Sequence, residues 1–110
     1  MQTRTFTSTV TVSVSCGENP EVHEVPVTEG CETAFRLTVE RIQMGIAELA
    51  MRGSCDKARD IAAQYNEIVG MIRIVTLMTN IYPSQVGRLV YSLRIAAGAA
   101  HRSAEARRKL

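Results

Sequence analysis

Between Thr3 and Cys16 the chain alternates with a period of two. Phe6, Val10, Val12, Val14 and Cys16 share one face with Ser8, and threonines and serines line the other. Strict alternation of β-branched residues marks a strand with one buried face. The cluster Gly17-Glu18-Asn19-Pro20 reads as a turn, and Glu21 to Thr28, with Val25 and Val27 on one side, as a second strand. Pro26 cannot donate to a ladder, so this strand is expected at an edge or irregular. An isolated hairpin is marginal in water and has to pack on helices or pair with a further strand.

From Thr33 the period lengthens. Phe35, Val39, Ile42, Ile46 and Leu49 are spaced four, three, four and three apart, the stripe of an amphipathic helix. Arg52-Gly53 reads as its stop, and Ser54 or Asp56 as the cap of the next helix. Ile61, Tyr65, Ile68, Ile72 and Val75 repeat the stripe, and Val69, Met71, Ile74, Leu77 and Met78 widen it until the second half is apolar nearly all round. A helix of that kind is expected at the centre of a bundle. Tyr82-Pro83 breaks the pattern, and Ser84 opens a third helix with Val86, Leu89, Val90, Leu93 and Ala97 on one side. Gly45, Gly70, Gly87 and Gly98 fall inside helices, where close approach of neighbouring backbones would compensate their cost of about 0.5–1 kcal/mol each. The expectation is an α+β fold with a helical majority: an N-terminal β-hairpin over about residues 3–28, then three α-helices over about 33–52, 55–79 and 84–105.

At 110 residues this is one domain, 1–110, with room for one modest core. Aromatic residues make up 5% with no Trp, so that core rests on aliphatic side chains and no ring platform for single-stranded nucleic acid is expected. The longest apolar run, Ile68 to Met78, is interrupted by Arg73 and is too short for a membrane span. The formal net charge of +2 hides an asymmetry. Residues 1–34 hold Arg4 against Glu18, Glu21, Glu24, Glu29 and Glu32, while residues 81–110 hold Arg88, Arg94, Arg102, Arg107, Arg108 and Lys109 against Glu105. An acidic head and a basic tail steer partners of opposite sign, or another copy of the chain. The tail, 102–110, has good helix formers but little to bury and is expected to fray.

Three cysteines, Cys16, Cys31 and Cys55, cannot all pair within one chain, and no secretory pattern precedes them, so a reducing, cytoplasmic setting is expected, in the host cell if the chain is phage-encoded. Cys55, close to a predicted helix start, is the best nucleophile candidate, with His23 or His101 as its base. Cys16, His23 and Cys31 would make a metal site only if the hairpin brought Cys16 and Cys31 together, and their spacing is wider than in structural zinc knuckles. Asp56 and Asp60 stand four apart and complement a helix dipole rather than forming an acid–base pair. No cofactor, metal or catalytic site is expected.

The segment Ile72–Leu93 resembles a helix-turn-helix unit. Val75 and Thr76 match its first helix, Asn80 and Ile81 its turn, and Val86 and Leu89 the inward face of its second helix, while Thr79 departs from the apolar residue expected there. The resemblance implies that Ser84, Gln85 and Arg88 face base edges, with Arg94, Arg102, Arg107, Arg108 and Lys109 on phosphates. The leading expectation is a small non-enzymatic protein that binds a macromolecular partner, as an inhibitor or adaptor of the phage or mobile-element accessory type, including inhibitors of host defence. Glu18, Glu21, Glu24 and Glu29 are its candidate acidic partner surface. A DNA-binding regulator using the helix from Ser84 is the alternative, and a virion or shell subunit with its tail on nucleic acid the third. Nucleic acid is thus a possible partner and a membrane is not. A homodimer or larger oligomer is expected, through strand pairing or through the helical stripes.

Overall fold

A computed structural model describes residues 7–16, 19–78 and 83–109. It has the expected architecture: an antiparallel two-stranded hairpin, β1 (Thr7–Cys16) and β2 (Asn19–Thr28), followed by α1 (Glu32–Met51), α2 (Ala58–Met78) and α3 (Pro83–Arg108). Residues 3–6 of the expected strand lie outside the described residues.

The hairpin register pairs Val10 with Val25, Val12 with His23 and Val14 with Glu21. Because successive side chains alternate, Val10, Val12, Val14, Val25 and Val27 all enter the core, and Thr9, Thr11, Ser13, Val22 and Glu24 face solvent. Pro26 does not disrupt β2. It sits opposite Thr9 in a continuous ten-residue strand that is itself a sheet edge, where a ring nitrogen can face away from the partner. Gly30, at φ +93°, turns the chain from β2 into α1 in a backbone region that glycine enters without strain. The Gly30 amide donates to both carboxylate oxygens of Glu32, at 3.1 and 3.0 Å.

The hairpin lies on α1 and α3, while α2 packs on the same two helices from elsewhere, so one core joins all five elements. Phe35, Val39, Ile42 and Leu49 come from α1, Ile61, Ile68, Ile72 and Val75 from α2, and Val86, Leu89, Leu93, Ala97, Ala100 and Ala104 from α3. These are the stripes that the spacing predicts. Gly45 lets α1 and α2 approach, since a Cβ there would stand 3.2 Å from Ile68 Cγ1. Gly70 and Gly87 face open space and a Cβ at Gly98 would meet only the end of Arg102 on the same helix, so close approach of neighbouring helices accounts for only one of the four.

The structure sharpens three points. First, α2 is not central: Ile74 and Leu77 are exposed, Leu77 to 79%. Only one side of α2 meets α1 and α3, so the apolar residues on its far side stay in solvent. Second, α2 opens at Ala58 rather than 55, and Asp56 does not cap it. Its Oδ2 accepts the Gly53 amide at 3.0 Å, and its Oδ1 accepts Arg52 Nη2 at 3.2 Å, so the carboxylate closes the preceding turn instead. Third, α3 runs through the tail to Arg108. Ala100 and Ala104 are small enough to bury against the neighbouring helices, and Arg107 lays its stem across buried Gly53 while its Nη1 donates to the Arg52 carbonyl at 3.4 Å. At about 1.5 Å per residue, α3 is roughly 39 Å long, and the molecule is a slab of 62 × 27 × 20 Å.

Candidate functional site

On the inward face of β2, where the alternation demands apolar residues, the chain places Glu21 and His23 instead. Glu21 lies towards α3. Ser92, buried on that helix, donates to Glu21 Oε2 at 2.6 Å, and His23 Nε2 is 3.3 Å from the same oxygen without hydrogen-bond alignment. The Ser92 hydroxyl, chiefly, and His23 after it, hold the Glu21 carboxyl below its ordinary value. The carboxylate stands between the serine and the histidine. In nucleophilic triads the imidazole takes the middle place, so that it can remove the hydroxyl proton. A carboxyl held ionised is a weak base, and this cluster fastens the hairpin to α3.

The cysteines are separated by the hairpin itself. Cys16 pairs with Asn19 at its closed end, and Cys31 follows the open end, where Thr7 pairs with Thr28. Nine residue steps at about 3.3 Å put roughly 30 Å between the two ends. A site of Cys16, His23 and Cys31 is therefore ruled out by the register. Cys55 lies exposed in the turn between α1 and α2, three residues ahead of Ala58. Its candidate bases are engaged elsewhere: the His101 ring is 4.7 Å from that of Tyr65, and His23 lies beside Glu21.

The candidate nucleic-acid residues divide. Arg88, Arg94, Arg102 and Lys109 are exposed. Arg107 is tied to the Arg52 carbonyl, and Arg108 donates from Nε and Nη2 to Glu105 Oε2 at 3.2 and 3.0 Å. The side chains of Ser84 and Gln85, and the turn residues Asn80 and Ile81, lie outside the described residues. Val86 and Leu89 are buried as the helix-turn-helix pattern requires. However, α2 and α3 pack on one another as far from their junction as Tyr65 and His101, which is the arrangement of two long helices packed side by side.

The acidic candidates divide as well. Glu21 faces α3, Glu24 points outward and Glu29 is exposed in the turn after β2, while Glu18 lies outside the described residues.

Composition and periodicity missed one surface. Tyr91 and Ile95 are exposed to 67% and 50% on the outer side of α3. At 100° per residue they share an arc with Arg88 and Arg102, and Arg94 flanks it. Tyr91 and Ile95 fall outside the core stripe of Val86, Leu89 and Leu93, and that was the available signal. Among the described residues no cluster of His, Cys, Asp or Glu could hold a metal ion, and no helix is long and apolar enough to cross a membrane. Comparison with protein-family models, curated proteins and solved structures finds no match.

Proposed function

We propose that the chain is a non-enzymatic binding protein that engages an acidic macromolecular partner, foremost a protein, through the outer face of α3. The observation that carries this reading is the exposed pair Tyr91 and Ile95 framed by Arg88, Arg94 and Arg102. An aromatic ring and an aliphatic side chain one turn apart gain free energy when a partner removes them from water. Tyr and Arg are the residue types that anchor interfaces, because they combine apolar area with directional donors. A ring of arginines around an apolar centre fits a partner surface that is apolar in the middle and acidic at the rim. Inhibitors, adaptors and assembly subunits all act in this way.

Nucleic acid is the second reading, favoured by Arg88, Arg94 and Arg102 exposed along one helix. From Arg88 to Arg102 the helix advances about 21 Å, enough to follow several phosphates. The two readings separate by experiment. Capture from lysate of the source cell is expected with the native chain and lost with Tyr91→Ala combined with Ile95→Asp. Mobility shift of duplex DNA at low and at physiological salt tests the other. Binding that falls steeply with salt, disappears in Arg88→Ala and survives Tyr91→Ala would favour the nucleic-acid reading.

A further inference from the structure

The outer side of α1 carries a second exposed apolar stripe, and its spacing is nearly palindromic. Leu37, Met44 and Met51 follow one another at intervals of seven, all exposed, with Met44 at 63%. Arg41 stands three residues before Met44 and Glu48 four residues after it, both on the side that faces α2. On that side α1 and α2 form an open groove, where Arg41, Met44 and Glu48 stand across from Glu67 and Met71. From the protein's own core this stripe receives nothing, because Phe35, Val39, Ile42 and Leu49 point the other way.

We infer that this face is a two-fold interface with a second copy of the chain, its axis passing at Met44. An antiparallel α1 laid on α1 brings Leu37 against Met51 of the partner copy at both ends and Met44 against its own equivalent in the middle. The same rotation sets Arg41 beside Glu48 of the other chain, and Glu48 beside its Arg41. An isologous contact needs a surface that complements itself, and this stripe does so in both apolarity and charge. The opposite flank agrees: Glu40 falls against Ala47 of the partner copy, so no like charges are opposed there. Methionine at the centre suits the packing, since its unbranched thioether adapts to an identical neighbour. A parallel arrangement would instead set Arg41 beside Glu40 of the partner copy, so exchanging the charges of Arg41 and Glu48 reports the direction. The surface is distinct from the outer face of α3, so a dimer leaves that face open.

Sedimentation equilibrium of the full chain across a concentration series tests the inference. The native chain is expected to approach twice its 12.1 kDa mass. Met44→Glu is expected to sediment as a monomer with an unchanged circular dichroism spectrum, since the side chain lies outside the core. Arg41→Glu is expected to weaken the dimer about tenfold by turning two attractions into two repulsions. The double variant Arg41→Glu with Glu48→Arg is expected to recover it, which no purely structural role of either residue would produce. A native chain that stays monomeric overturns the proposal. So does a dimer that Met44→Glu leaves intact but Thr11→Pro abolishes, since that dimer would be held by β1, and so does a double variant no tighter than Arg41→Glu.

Discussion

Ser92 on α3 and Glu21 on β2, separated by 71 positions in the chain, share a 2.6 Å hydrogen bond that joins β2 to α3. The Glu21 carboxyl is held below its ordinary value by that hydroxyl first and by His23 second. A carboxyl that ionises more easily in the folded chain than in the unfolded one adds stability above its ordinary value. That stability is lost as pH falls from there through the lowered folded value. Urea unfolding of Ser92→Ala is therefore expected to give a lower midpoint than the native chain at neutral pH. As Glu21 protonates in acid, the gap narrows. Glu21→Gln is expected to flatten the acid limb of the native profile. A gap constant across pH would mean that the bond contributes nothing to the titration.

Glu32 and Asp56 titrate in the same direction. Ser8 first, then backbone amides, lower the Glu32 carboxyl, and the Gly53 amide, ahead of Arg52, lowers that of Asp56. Asp56→Asn is expected to weaken the turn between α1 and α2 more at neutral pH than in acid, where the native carboxyl is itself protonated. Urea midpoints at the two pH values check this.

Gly53 is buried where α3 crosses that turn, and a Cβ at this position would collide with Arg107 Cβ. Neither atom belongs to a flexible side-chain end, so the backbone has to move. Gly53→Ala is expected to lower stability by about 1–3 kcal/mol, the usual cost of overpacking. The companion Gly70→Ala, facing open space in mid-helix, is expected to stabilise the chain by about 0.5–1 kcal/mol through helix propensity. Thermal melts of the pair, moving in opposite directions, are the check.

Leu89 and Leu77 distinguish core from surface among residues that hydropathy treats alike. Leu89 is fully buried and Leu77 almost fully exposed. Leu89→Ala is expected to cost about 2–5 kcal/mol and Leu77→Ala less than about 0.5 kcal/mol. Equal losses on denaturant titration would place α2 inside the fold after all.

Cys55, exposed in its turn, is expected to react with a disulfide reagent faster than half-buried Cys31, which opens α1. Stopped-flow labelling of Cys55→Ser, set beside the native chain, should remove the faster of these two phases.

The hairpin and the core stripes were legible because alternation and heptad spacing record which side of each element is covered. Val10, Val12 and Val14 needed only their period, and so did Phe35, Val39 and Ile42. Coverage of the other sides could not be read this way. The apolar run through Ile74 and Leu77 has the same composition whether a helix is enclosed or flanked on one side, and only the placement of the hairpin on α1 and α3 decides it. The helical tail was less legible for a related reason. Ala100 and Ala104 bury little area and read as indifferent, yet their smallness is what allows α3 to lie close along its whole length. Glu21 and Ser92 fell in different elements with nothing in their local patterns to join them. Tyr91 and Ile95 were passed over because they lie outside the inward stripe, and for a binding surface that position is the informative one.

The two rims of the hairpin differ in a way that bears on how far strands can accumulate. β1 offers ten residues without charge or proline along its outer rim, whereas Pro26 removes one donor from β2. A fibril needs every chain to accept a neighbour on both sides. Here one side is docked by a missing N–H. Proline on that rim disfavours a further strand, so accidental pairing through β1 during synthesis favours a closed pair over growth into insoluble polymer.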